Sequence, residues 1–484
     1  MTNPQAPARD ASPGRSEAGE AGEAGEEARI VGHLARRLVP FLALIYVVAY
    51  VDRTVVGFAK LHMNAAIGLS DAAYGLGAGL FFVGYFLCEV PSNLALSRFG
   101  ARVWFARILF TWGAITMATA FVSGPRSFYV LRFLLGAAEA GLYPGILYFL
   151  THWFPLRHRA RVIGLLVLAQ PVAGIVTGPI AGALLETRGV FGLSNWQTLF
   201  VASGLPAVLL CLPTLRLLPE TPAHAKWLGE TERRWIEREL ASDRRAYRLD
   251  AHRHPFGALK DRRVLLLALL FLPFPLCIYG LSLWLPTIIK AFGVSDATAG
   301  LLSAVPYLFA VAGLLIVPRH SDKHRERYGH IVVVSALGAL TMAASAWVHA
   351  PALQLLFICL TAFSIYSIQA VVWALPGEFL TGASAAVGIA TINSLANLGG
   401  YLGPYGIGII KDATGSLAAG LDFLAATLVF AALVTFAVRA ALRTPPRATD
   451  AADTADATDT ADVAHAANVA HAADAQGDLA GEAR

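Results

Sequence analysis

Four ionisable residues stand inside otherwise apolar runs. Asp52 and Arg53 are adjacent in LIYVVAYVDRTVVGFA, and Arg132 and Glu139 lie in RFLLGAAEAGLYPGILYFL. The second pair is seven residues apart, so on a helix the two share one face, about 10.5 Å from each other. An ionised side chain at the centre of a bilayer costs roughly 2.5–3.5 kcal/mol. Such groups persist where they pair or where they line a wet cavity. Arginine stays charged and grips a carboxylate with two parallel hydrogen bonds. A buried carboxyl is pushed by desolvation toward exchanging its proton near neutral pH. Two arginines to hold an anion and two carboxyls, Asp52 and Glu139, to carry protons are the parts of an anion/proton symporter. The alternative is a set of structural ion pairs locking the first apolar run to the fourth, and the two readings can coexist.

The runs that hold these charges dominate the chain. Of 484 residues, 56% are hydrophobic and 15% charged, where an ordinary soluble protein carries about 25% charge. Mean hydropathy is +0.57. A helix crosses a bilayer in roughly 20 apolar residues. Six such spans are expected near 38–60, 72–97, 104–122, 127–151, 161–186 and 197–218. Six more are expected near 263–290, 296–318, 329–348, 352–378, 384–411 and 420–440. The fold class is therefore an all-α membrane protein, with a six-helix bundle over 38–218 and another over 263–440. The net charge of +5 sits in short loops, as membrane topology requires, and does not point to nucleic acid. Cys88, Cys211, Cys277 and Cys359 fall within apolar stretches without metal-ligand spacing, so no metal site is expected. Residues 1–37 and 441–484 are expected to be disordered tails, because both are polar and of low complexity.

Arginine and lysine set the orientation. Arg98 and Arg102 follow the second span, Arg157, Arg159 and Arg161 the fourth, and Arg319, Lys323, Arg325 and Arg327 the eighth. The positive-inside rule then makes both termini and the 219–262 linker cytoplasmic. Within that linker Trp227, Trp235, Ile236 and Leu240 lie near helical spacing, which predicts an amphipathic helix at the membrane surface.

The halves repeat each other. GLSDAAYGL at Gly68 recurs as GVSDATAGL at Gly293, 225 residues on, with six of nine positions identical. The same offset carries Ser97-Arg98 onto Asp322-Lys323 and Gly178-Pro179 onto Gly403-Pro404. Two six-helix repeats in the same orientation place a solute site at mid-membrane between them, as in major facilitator transporters. Polar residues that could complete a cavity are Tyr50, Tyr85, Gln170, Tyr279, Asn393 and Asn397; singly, each is more often a helix–helix hydrogen bond. Glu89 and Glu378 stand toward helix ends. The glycine-rich stretches suit close helix packing, not phosphate binding. No P-loop or catalytic triad is present, so no enzyme activity is expected and an ion gradient must supply the energy.

From Arg37 to Arg439 the chain resembles the anion:cation symporter family of the major facilitator superfamily. The resemblance is carried by YVDR with VGFAK, GLSDAAYGLGAGLFFVGYFLCEVPSNL, RFLLGAAEAGLYPG with YFLTHWFP, and YGLSLWLPTIIKAFGVSD. It implies proton-coupled import of organic acids such as tartrate, sugar acids or aromatic carboxylates across a bacterial inner membrane, by a monomer with no cofactor. It also implies proton coupling at Asp52 and Glu139 and anion binding at Arg53 and Arg132. Tyr50, Tyr85, Gln170 and Asn397 become candidate substrate contacts, with Tyr279 and Asn393 beside them. Val55 stands where many relatives have Asn, and Asn93 and Ser97 degrade the superfamily's loop motif after the second span. Gating is therefore assigned to Arg98, Arg102, Asp322 and Lys323. An exchanger or facilitator without proton coupling and a transporter-derived sensor are the alternatives.

Overall fold

The computed structural model describes residues 17–249, 261–378 and 382–443; the remaining residues, including the first sixteen of the expected N-terminal tail and most of the C-terminal one, lie outside this description. The described residues form sixteen α-helices, with no strand among them. In the first half these are α1 (Glu17–Ile67), α2 (Asp71–Phe99), α3 (Ala101–Thr119), α4 (Pro125–Glu139), α5 (Leu142–Thr151), α6 (Leu156–Val167), α7 (Ala169–Glu186) and α8 (Asn195–Leu217). The linker holds α9 (Glu230–Leu249). The second half holds α10 (Arg262–Phe271), α11 (Pro273–Lys290), α12 (Asp296–His324), α13 (Tyr328–Trp347), α14 (Pro351–Val372), α15 (Gly382–Thr414) and α16 (Leu417–Arg443). Residues up to Phe436 belong to one compact unit; of the second unit, only the last turns of α16 are described.

Ten helical segments among the described residues are long and apolar enough to cross a membrane. The consecutive pairs α4–α5 and α6–α7 each make one such segment, as do α10–α11. The other two crossings are α3, which carries Arg102 and Arg107, and α15, which carries Asn393, Asn397 and many glycines. Polar residues lower the hydropathy of these two helices, not their length.

Most interruptions within spans have a local cause. Pro171 and Pro273 remove amide donors just after the α6–α7 and α10–α11 joins, which bends a helix. The α4–α5 break has a different origin. Gly141 sits at φ +86°, a left-handed conformation that costs an L side chain about 1–2 kcal/mol. The carbonyl of Ala140, freed by the break, accepts a hydrogen bond from Ser92 Oγ of α2 at 2.6 Å. The break falls directly after Glu139.

The halves meet along two equivalent seams, α2 along α15 and α12 along α7. Gly178 and Gly300 let α7 and α12 approach until each glycine position faces the other's carbonyl.

Two expectations are corrected at the linker end. The stretch before residue 38 is helical from Glu17 onward, not disordered. Ile30 and Leu34, one turn apart, are both fully buried, while Glu27 pairs with Arg157 and His158, each at 2.6 Å. The linker helix α9 forms, but its apolar face is not left for a membrane surface. Ile236 and Leu240 are buried in the core of the first half, and Trp227 stacks on Trp153 at 5.9 Å. Burial alone would raise the Glu232 carboxyl, yet the His33 ring and the Gly229 amide hold it below its ordinary value. Complementary charge on α1, α6 and α9 made docking on protein available, and protein covers apolar residues as well as lipid does.

Candidate functional site

Consecutive residues on a helix point about 100° apart, so Asp52 and Arg53 reach different neighbours. Asp52 turns toward α3, where the Trp112 indole donates to its Oδ2 at 2.9 Å. Arg53 turns inward. Its Nε and Nη2 both meet Oε1 of Glu139, at 2.8 and 2.6 Å. Its Nη1 donates to the hydroxyl of Tyr279 on α11, in the other half, at 3.0 Å. All four charges are buried, with Glu139 at 0%, Asp52 at 1%, Arg132 at 2% and Arg53 at 9% exposure.

Aromatic rings enclose this pair. The Arg53 guanidinium lies 5.0 Å from the ring centre of Tyr50 and 5.2 Å from those of Phe81 and Tyr85. The Tyr279 hydroxyl donates to that of Tyr50 at 3.3 Å, and Tyr46 donates to the same oxygen at 3.4 Å. Gln170 of α7 donates to it as well. The Arg132 guanidinium also lies 5.2 Å from the centre of the Phe81 ring. Among the described residues, its Nε, the Oε2 of Glu139 and the Oδ1 of Asp52 have no hydrogen-bond partner. The site thus holds two positive and two negative groups, and one ion pair that uses a single carboxylate oxygen.

Of the sequence candidates, Asp52, Arg53, Arg132, Glu139, Tyr50, Tyr85, Gln170 and Tyr279 come together here. Asn393 does not join them; its amide meets Glu89 of α2 at 3.4 Å. Asn397 follows one turn on, partly buried. The side chain of Glu378 lies outside the described residues. The gating candidates sit apart from the cluster. The amides of Ala101 and Arg102 are capped by Glu220 at 2.5 and 3.2 Å, and Arg98 lies against Phe99. Asp322 is 3.9 Å from Arg327 of its own half, and Lys323 is exposed.

The sequence profile of the Major Facilitator Superfamily matches residues 42–404. This chain belongs to the Major Facilitator Superfamily. It is a membrane transporter, with the superfamily's two six-helix repeats. A quinolone resistance transporter of Acinetobacter baumannii is 55% identical over 86% of this chain and 96% of its own. A putative tartrate transporter of Agrobacterium vitis is 45% identical over 87% and 96%. A crystal structure of a bacterial homolog of the human lysosomal transporter Spinster, inward-facing and occupied, superposes with a TM-score of 0.69. That match has 18% identity over 84% of this chain and 98% of the other, and bears on the fold alone.

Several residues around this transporter's buried charges were not singled out in the sequence. Trp112, Tyr46 and Phe81 look like ordinary core residues there, and only the rotation of their helices brings them to the charges. Glu220 follows the sixth span in an unremarkable LPETP. Lys60, near the end of the first span, is 5% exposed and stands 3.3 Å over the Trp284 ring. The signal that could have found it was the repeated Gly-x-Ser-Asp, whose first aspartate is its ion-pair partner.

Proposed function

We propose that this transporter imports a small organic carboxylate together with protons, by alternating access around the Arg53–Glu139 pair. The observation that carries the reading is that this buried pair from the first half is bonded to Tyr279 of the second. A group that rearranges there is felt by both halves.

The physics is competition for a guanidinium. While Glu139 is ionised it occupies Arg53. Protonation removes that attraction and frees Arg53, with Arg132, to hold a carboxylate. When the site opens to the less acidic side, Glu139 loses its proton, retakes Arg53 and displaces the anion. Asp52 serves as a second proton carrier close to Arg132. An uncompensated buried charge costs several kcal/mol, so in a neutral set of four charges each added negative charge favours an added proton. Tyr50, Tyr85, Gln170 and Tyr279 supply hydroxyl, amide and ring contacts to the body of the solute, and Asn397 lies toward one end. By the positive-inside rule the α9 end faces the cytoplasm, with both termini, in a bacterial inner membrane. The proton gradient is the energy source, and no cofactor takes part. The name of the tartrate relative supports a carboxylate solute.

Proteoliposomes tested with a panel of tartrate-like, sugar-acid and aromatic carboxylates should show substrate-dependent proton uptake. Arg132→Ala should abolish uptake while the protein still reaches the membrane; normal uptake would remove the anion-site assignment. Glu139→Gln should exchange labelled solute but not concentrate it, and accumulation against a gradient by that variant would exclude Glu139 as the coupler. Export of an aromatic compound is a second reading, favoured by the name of the 55%-identical relative and by the aromatic enclosure. The direction of pH-driven flux in the same vesicles separates the two.

A further inference from the structure

The repeated Gly-x-Ser-Asp has no part in the central chemistry, yet the fold builds the same device from both copies. Gly68 and Gly293 each take a left-handed turn, at φ +66° and +78°. Ser70 and Ser295 each cap the next helix, accepting from the amides of Ala73 and Thr298 at 3.1 and 3.2 Å. Asp71 and Asp296 are then the first residues of α2 and α12. Each aspartate draws one basic side chain from its own half and one from the other. Asp71 pairs with Lys60 at 2.8 Å and with Lys411 of α15 at 2.7 Å. Asp296 pairs with Lys290 at 2.6 Å and with His62 of α1 at 2.8 Å.

A second tie crosses each seam. Asp412, in the last turn of α15, accepts from the free amides of Asp71 and Ala72 at 3.2 and 2.9 Å. Glu186, in the last turn of α7, accepts from the amide of Ala297 at 3.0 Å. A carboxylate at a helix start is favoured by the unpaired amides and by the helix dipole. Lys60 is further held between Tyr74 and Trp284, whose indole donates to the Pro404 carbonyl at 3.3 Å.

We propose that the two Gly-x-Ser-Asp copies form paired clamps that hold the halves shut at the end of the bundle opposite α9. Their joint release is then the step that opens that end to solute. The ties are polar, and apart from the buried Lys60 and Asp296 their members are at least partly exposed, so water can replace them; an apolar seam would have no such substitute. The repeat makes them paired, so both seams part together as one half rocks against the other. This holds for whichever solute is carried.

The test uses full-length protein in nanodiscs, with the four native cysteines replaced by alanine and one reporter cysteine at a time. Ala78→Cys reports the clamped end: Ala78 is fully buried, one turn beyond Tyr74 on the same face of α2. Asn393→Cys reports the opposite end. Asp71→Asn and Asp296→Asn should each speed maleimide labelling at the first reporter several-fold, and together roughly tenfold. Labelling at the second should slow in the same variants. Glu186→Gln and Asp412→Asn, which leave both aspartates in place, should act in the same direction. Unchanged labelling at the first reporter overturns the proposal. A rise at both reporters overturns it too, since that is general loosening and not a shift between two states.

Discussion

Asp52 and Arg53 are neighbours in the chain, but they answer to different helices. The indole of Trp112 gives Asp52 its hydrogen bond, whereas Arg53 spans from Glu139 to Tyr279. Removing one partner of a buried charged group costs about 1–3 kcal/mol, because the remaining atom keeps its desolvation penalty. Trp112→Phe should therefore lower the thermal unfolding temperature of the purified protein. Adding Asp52→Asn should cost less in the Trp112→Phe background than in the native one, since the bond is already gone. Strict additivity in that cycle would show that the indole does not support the carboxylate. Arg53 and Arg132 looked equivalent on residue type alone. They differ because, among the described residues, one has an acid within 3 Å and the other a ring face with charges farther off.

At the level of elements, the break between α4 and α5 places Glu139 at a helix end, where its backbone is not bound into a longer helix. Gly141→Ala meets both a left-handed backbone and the side chain of Ser92. It should destabilise by at least about 1–2 kcal/mol, measured by thermal unfolding; an unshifted transition would mean the break relaxes freely. The α9 clasp makes a prediction about pH. The folded-state pKa of Glu232 is lowered, so its contribution is complete above the ordinary carboxylate value of about 4.3. That contribution is lost as pH falls through the lowered folded value. Protease cleavage of the linker should therefore rise on strong acidification. Glu232→Gln should raise cleavage at neutral pH and flatten that response. Equal pH profiles for the two proteins would assign the clasp to other groups.

For the whole molecule, the proposed proton symport ties coupling to the balance of charge in the centre. Asp52, Arg53, Arg132 and Glu139 sum to zero. A monocarboxylate should then travel with one proton and a dicarboxylate with two, each as a neutral load. Proton-to-solute ratios in proteoliposomes, measured with a matched pair of mono- and dicarboxylates, check this. A ratio that ignores the charge of the anion would break the link between site neutrality and stoichiometry. The two halves share this work unequally. By the 225-residue offset Asp52 falls on Cys277 and Glu139 on Ser364, so the acids stand in the first half alone. The second half reaches the pair through the Tyr279 hydroxyl.

Span lengths, the repeat and the four intramembrane charges were legible in the chain, because apolar length, internal similarity and a charge inside an apolar run are properties of a local stretch. Even α3 and α15, the least apolar crossings, could be placed by the register of the repeat. What the sequence left open was which charge meets which. Arg132 and Glu139 share a helix face at seven residues' spacing, yet Glu139 pairs with Arg53, because partner choice depends on how α1 and α4 are rotated and crossed. The same reason hid Trp112, gave the Gly-x-Ser-Asp copies their partners on the opposite half, and sent the apolar face of α9 to protein. Periodicity says that a face must be buried; only the tertiary structure decides against what.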